Sequence, residues 1–157
     1  MADLASTDVA VSIAPGDREI FGAGAFKNGT LAQITFGNGS LTYPANGVPL
    51  PDKGVFGFRK IIDLGIVENA PGDGFVYKYD RTNHSIRVYT QGAKTGATAP
   101  AANENGALAK NSAGAEATAP RLPKTAASTT YDLGPMIELP AAITLPATVL
   151  KLLFIGE

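Results

Sequence analysis

The chain is expected to be all-β, an antiparallel β-sandwich or small β-barrel that carries one long Ala/Gly-rich arm or loop. Three observations lead there. Eighteen Gly and eleven Pro in 157 residues interrupt nearly every window before three helical turns could form. Short apolar runs of period two recur between clusters of Gly, Pro, Asn and Asp, the pattern of half-buried strands joined by turns. Residues 92–128, in contrast, hold thirteen Ala and no Val, Ile, Phe, Tyr or Trp, so that segment cannot supply a core of its own.

The elements follow in chain order. Val9, Val11 and Ile13 alternate with small residues and end at the turn Pro15-Gly16. Residues 19–26 and 30–36 flank Asn28-Gly29, a dipeptide suited to a type I′ turn, and this hairpin is expected to set Phe26 opposite Leu31 and Phe21 opposite Phe36. Residues 37–54 read as a loop stiffened by Pro44, Pro49 and Pro51, too rich in proline for a central strand. A long strand is predicted over 55–67, with Phe56, Phe58, Ile62, Leu64 and Ile66 on one face and Arg59 and Asp63 on the other. After a turn through Pro71, Gly72, Asp73 and Gly74, a second hairpin joins Phe75, Tyr77 and Tyr79 to Ile86 and Val88. Setting Tyr79 opposite His84 puts the large apolar residues on one face, with Lys78, Ser85 and Arg87 on the other, as a half-buried antiparallel pair requires. Residues 130–139 and 148–155 supply the last two strands. The final one, with Val149, Leu150, Leu152, Leu153, Phe154 and Ile155, is apolar on both faces. It is expected either at the centre of the fold or beneath another subunit.

Twenty-five of the hydrophobic residues are Ala, and of the forty-five larger ones only Leu108 and Leu122 fall in the excursion. One modest core is therefore expected, in a single domain over 1–157. Opening the connection to 37 residues costs only about 2 kcal/mol more than a five-residue loop. Ordering it would need outside contacts.

Composition limits function as well. Thirteen basic and fourteen acidic residues give a net charge of −1 without long runs, whereas a nucleic-acid binder needs a basic face to displace counterions. No nucleic acid is expected as a partner. Absence of Cys excludes disulfides and thiolate metal sites. The first twelve residues lack the basic and apolar regions of a signal peptide, and no apolar run approaches the ~20 residues of a membrane span, so no membrane partner is expected.

No residue pattern announces a reaction. The sole histidine, His84, stands at a hairpin turn without a second His, and contact with Tyr79 explains it better than general-base chemistry. Asp17 with Glu19, or Asp63 with Glu68, have no spacing that forces them together as an acid and base pair. Gly22-Ala-Gly24 and Gly37-Asn-Gly39 lack the later Gly, the Lys and the following helix of a phosphate loop. Tyr77, Tyr79, Tyr89 and Arg87 could stack sugars or bases, but the hairpin register turns Tyr77 and Tyr79 inward. Catalytic, cofactor-binding and metal-ligating residues are thus all expected to be none.

One block is more particular than turn chemistry requires. Phe36-Gly-Asn-Gly-Ser40-Leu-Thr-Tyr43-Pro44-Ala-Asn-Gly47-Val48-Pro49-Leu50, then Gly57-Phe-Arg59 and the hairpin over 75–89, resembles small structural proteins of tailed bacteriophages, as does the Pro-rich approach to a closing apolar strand. The resemblance covers roughly residues 8–90 and the last 25, and not the excursion. It implies a non-enzymatic capsid decoration (cement) protein, made in the host cytoplasm and bound on the outside of the virion. Its partners would be the major capsid protein and other copies of itself, as a homotrimer; a tail, baseplate or fibre component is the alternative. In that setting the candidate partner contacts are Tyr43, Pro44, Val48 and Leu50 in the rigid loop, Leu108 and Leu122 in the excursion, and Val149 and Leu153 in the last strand.

Overall fold

The computed structural model describes residues 2–21, 26–95, 101–102, 131–141 and 143–157, with 92–95, 101–102 and 131–135 described by backbone alone. These residues form nine strands: β1 (Ala10–Ser12), β2 (Asn28–Phe36), β3 (Val48–Pro49), β4 (Ile62–Asn69), β5 (Val76–Asp80), β6 (Ser85–Thr95), β7 (Ala101–Ala102), β8 (Tyr131–Glu138) and β9 (Thr148–Gly156). Only two short 3-10 turns accompany them, and among the described residues there is no α-helix. The chain is all-β and antiparallel, as its composition predicts.

Two compact units divide it, one of residues 1–71, 77–87 and 141–157, the other of 72–76 and 88–140. In the first, a four-stranded sheet has the order β1-β2-β9-β4. Its centre is the nine-residue pairing of β2 with β9, from Asn28↔Gly156 to Phe36↔Thr148. Alternation does the sorting: Thr148, Leu150, Leu152 and Phe154 of β9 and Thr30, Ala32, Ile34 and Phe36 of β2 are all buried. These inward side chains meet those of β5 and of the 3-10 turn Lys53–Phe56. Phe154 lies 4.8 Å from the Phe56 ring and 5.4 Å from that of Tyr79, and Phe36 packs edge-on to Tyr77 at 6.4 Å. Face-to-face packing of two sheets through aromatic side chains is the sandwich arrangement.

Two predicted strands differ from those that form. The turn at Asn28-Gly29 is absent, because both residues lie within β2, paired with Gly156 and Ile155. Neither has the positive φ that a type I′ turn demands. Phe36 instead lies at the register position of Thr148, and Phe21 lies over Gly29. The predicted strand over 55–67 begins only at Ile62. Before it, Asp52 caps the 3-10 turn Lys53–Phe56 by accepting from the Gly54 amide at 2.8 Å, and Gly57 comes next in the left-handed region at φ 88°. The amides of Arg59, Lys60 and Ile61 then converge on the Glu157 carbonyl, which holds that stretch out of any ladder. A bulge between Ile62 and Leu64 reverses the facing of the later β4 residues. Ile62 is buried while Leu64 and Ile66 point outward. Gly65 takes the inward position because a Cβ there would lie 2.7 Å from Tyr79 Cβ.

The second hairpin keeps its predicted facing for the large residues, since Tyr77, Tyr79, Ile86 and Val88 are buried and Lys78 exposed. Ser85 differs: it is buried, and its hydroxyl donates to the Asn46 carbonyl at 2.7 Å. In the second unit, β6 from Val88 onward pairs with β8 from Tyr89↔Glu138 to Thr95↔Tyr131, and with β7 through Gly92↔Ala102 and Ala93↔Ala101. The remainder of the Ala-rich excursion, and any role as an arm, lies outside the described residues.

Candidate functional site

Strand alternation that buries one face of β9 also decides what its other face presents. Outward-facing residues of the first sheet fall into rows that cross the strands, because residues paired in register share a face. One row runs from Phe21, seated over Gly29, through Ile155 to Leu64; the next joins Leu31, Leu153 and Ile66. Both are wholly apolar. Phe21 is 51% exposed, Leu64 46% and Ile66 47%, so this is open surface and not the rim of a core. A third row is polar, with Ser12, Gln33 and Lys151, and Lys151 reaches Glu68 at 3.4 Å. Beyond it, Ala10, Thr35 and Val149 form the last row, with Val149 48% exposed. Contiguous apolar surface of this kind, bordered by charge, marks interaction sites on soluble proteins.

At the end of the first row, Asp63 accepts from Lys27 at 2.7 Å and lies 3.0 Å from Arg81. The Lys27 hydrogen bond and the two cations hold its carboxyl below the ordinary carboxylate range, against partial desolvation. The patch is therefore flanked by charges that are already paired: Asp63 with Lys27 and Arg81, Glu68 with Lys151.

A polar cluster also gathers at the hairpin corner. His84 adopts a left-handed backbone, φ 49°, and both ring nitrogens are engaged: Nε2 lies 2.8 Å from the Pro51 carbonyl and Nδ1 2.9 Å from the Tyr79 hydroxyl. A carbonyl can only accept, so Nε2 carries the proton, and Nδ1 accepts from Tyr79. Burial lowers the imidazole pKa, with Lys53 adding to the effect and the Pro51 carbonyl and Asp52 opposing it. Burial also pushes the Tyr79 phenol up to about 12, with Asp80 adding to the effect. These groups tie the 3-10 turn to the hairpin, and Phe56 packs edge-on against the ring at 5.9 Å. A base whose folded pKa lies below its unfolded value contributes stability that is fully present above about pH 6.5. That contribution is lost as pH falls from there through the folded pKa. An imidazole NMR titration is expected to give a midpoint below 6.5, with the resting tautomer protonated on Nε2.

Asp80 closes the same turn. It accepts from the Asn83 side chain at 2.9 Å, the Thr82 amide at 2.9 Å and Arg87 Nε at 2.7 Å. The Asn83 and Arg87 bonds, with the turn amides, bring its pKa to about 2. From the ordinary 3.8 that corresponds to about 2 kcal/mol, which solvent screening at this corner reduces to about 1 kcal/mol. Asp80→Ala is expected to lower stability by about 1 kcal/mol at neutral pH. In urea titrations repeated at decreasing pH, the gap between variant and parent should close between pH 3.8 and about 2.

The sequence-derived contacts are dispersed. Tyr43, Val48 and Leu50 are buried: the Tyr43 amide donates to the Ile143 carbonyl at 2.7 Å, and Val48 opens β3 against Ile86. They are core, not contact surface, and only Pro44 of that loop set keeps part of its surface exposed. Leu108 and Leu122 lie outside the described residues. Val149 and Leu153 do face outward, Leu153 at the centre of the apolar rows. The last strand is accordingly central and buried on one face, while its other face stays half-open. Among the described residues, no group of three or more His, Cys, Asp or Glu could hold a metal ion, and no helix is long and apolar enough to cross a membrane. No family model, curated protein or solved structure matches the chain.

Proposed function

We propose that this chain is a non-enzymatic structural protein of a tailed-phage virion, a capsid decoration protein that stabilises the head by bridging capsid subunits. The observation that carries this reading is the pair of outward apolar rows, Phe21-Ile155-Leu64 and Leu31-Leu153-Ile66, on a sheet whose other face is a complete core. Resemblance of the 36–50 block and the final strand to small phage structural proteins supplies the virion setting. A cement protein acts by adding buried area across seams that are individually weak, and several copies acting together multiply a modest interface. The rows supply such area on a rigid support, so little ordering opposes docking.

The test is made on virions produced from the genome that encodes this chain. Gold-labelled antibody is expected on the exterior of purified heads, and heads lacking the chain should rupture at lower temperature. Absence of the chain from purified particles would overturn the proposal, and label confined to the tail would move it to a tail, baseplate or fibre role.

A further inference from the structure

We infer that the free edge of β4 is a self-association site, at which two copies pair their β4 strands antiparallel about a two-fold axis centred on Gly65. This inference stands apart from the virion reading and does not depend on it. In the order β1-β2-β9-β4, β4 is an end strand paired with β9, and among the described residues no other strand pairs with it or lies along its other side. An unpaired edge presents amides and carbonyls that an extended backbone satisfies best. Soluble proteins blunt such edges with charge, proline or bulges. Here the register irregularities fall between Ile62 and Leu64 and between Val67 and Asn69. The four residues between them, Leu64-Gly65-Ile66-Val67, carry no charge and no proline, and two of their side chains are outward and half-exposed.

Register and charge select the occupant. With Gly65 opposite its own copy, Leu64 of one chain faces Ile66 of the other, which extends both apolar rows across the join. Asp63 then faces Val67 and Glu68 faces Ile62, so no carboxylate opposes another. Both acids are in any case neutralised within their own chain by Lys27, Arg81 and Lys151. An isologous contact needs this property: one patch complementary to itself, with residue i meeting j and j meeting i. A ring of three would require two different patches, and the β4 edge supplies one that matches itself.

Because the chain contains no Cys, introduced thiols can report the register. Leu64→Cys and Ile66→Cys are made separately, at outward positions where the fold should tolerate them, and folding of each is checked by circular dichroism. Under mild oxidation at high concentration, a mixture of the two variants is expected to give a disulfide heterodimer, while either variant alone remains mostly uncrosslinked. Native mass of the parent should rise from monomer to dimer over roughly 1 µM to 1 mM. A monomer throughout that range, a trimer, or crosslinking equally strong for each variant alone would overturn the inference. Whether the chain is found on virions bears only on the previous proposal, so the two can fail separately.

Discussion

Phe154→Ala is expected to remove about 3–5 kcal/mol of stability, the usual range for emptying an aromatic site in a packed core. A small domain has a total of about 5–15 kcal/mol, so the variant should be close to unfolding at room temperature. The size of the effect follows from position. Phe154 is fully buried in the central strand of the first sheet and touches rings from two separate elements, Phe56 at the 3-10 turn and Tyr79 in β5. Those rings in turn flank His84, so a cavity at Phe154 also loosens the partners that hold the imidazole neutral. Phe154→Leu refills much of the volume and should recover more than half of the loss. Urea unfolding followed by tyrosine fluorescence measures both variants, and the His84 titration gives a second reading. In a Phe154→Ala protein that still folds, the His84 midpoint should move up toward 6.5, because burial is what depresses it. An unchanged midpoint would mean that the cavity collapses without reaching the corner.

How far the sequence discloses this arrangement depends on how local each determinant is. The alternation in Tyr77, Tyr79, Ile86 and Val88 is a two-residue period with a turn between, and it predicts burial correctly. For β9 the apolar run predicts a strand at the centre of the fold or beneath another subunit, yet it cannot show that one face remains half-open; that depends on what the rest of the chain places over it. Non-local pairing overrides local turn chemistry at Asn28-Gly29. The dipeptide is well suited to reverse the chain, but nine consecutive pairs with β9 outweigh one favourable turn. The apolar rows are hidden for a related reason, since a single extra residue at Asp63 turns Leu64 and Ile66 from the core face to the outer one. Gly65 is the available signal: glycine inside a strand marks close approach by another group, here the Tyr79 ring. In the 36–50 block, the particular residues prove to be folding determinants. Gly47 sits at φ 83° with no room for a Cβ beside the Ile86 carbonyl, and the turn delivers Val48 into the core. The prolines exclude a central strand, and β3 is indeed only a two-residue edge; the expectation of a contact surface there comes with the phage resemblance, not from the prolines.

Under the decoration role proposed above, Leu153→Lys is expected to weaken docking strongly while leaving the fold intact. Leu153 sits between Leu31 and Ile66 in the second apolar row, half-buried by its neighbours but facing away from the core. A lysine there can run its stem along the sheet and lift its ammonium into water, so the loss of stability should stay near 1 kcal/mol. At a docked interface the same ammonium would be stripped of water at the centre of the patch. Central contacts of this kind contribute about 2–4 kcal/mol to binding, which is a loss of roughly 30- to 1,000-fold in affinity. Gln33→Lys places the same charge in the polar row beside Lys151 and should reduce binding by less than about tenfold. Binding of the purified variants to heads lacking the chain, followed by co-sedimentation, separates the possibilities. Equal losses for both substitutions would show that net charge and not the apolar rows governs docking. No loss for either would place the docking surface elsewhere on the chain. A strong loss for Leu153→Lys with little for Gln33→Lys is the outcome expected under the proposed decoration role, with docking through the apolar rows of β2, β9 and β4.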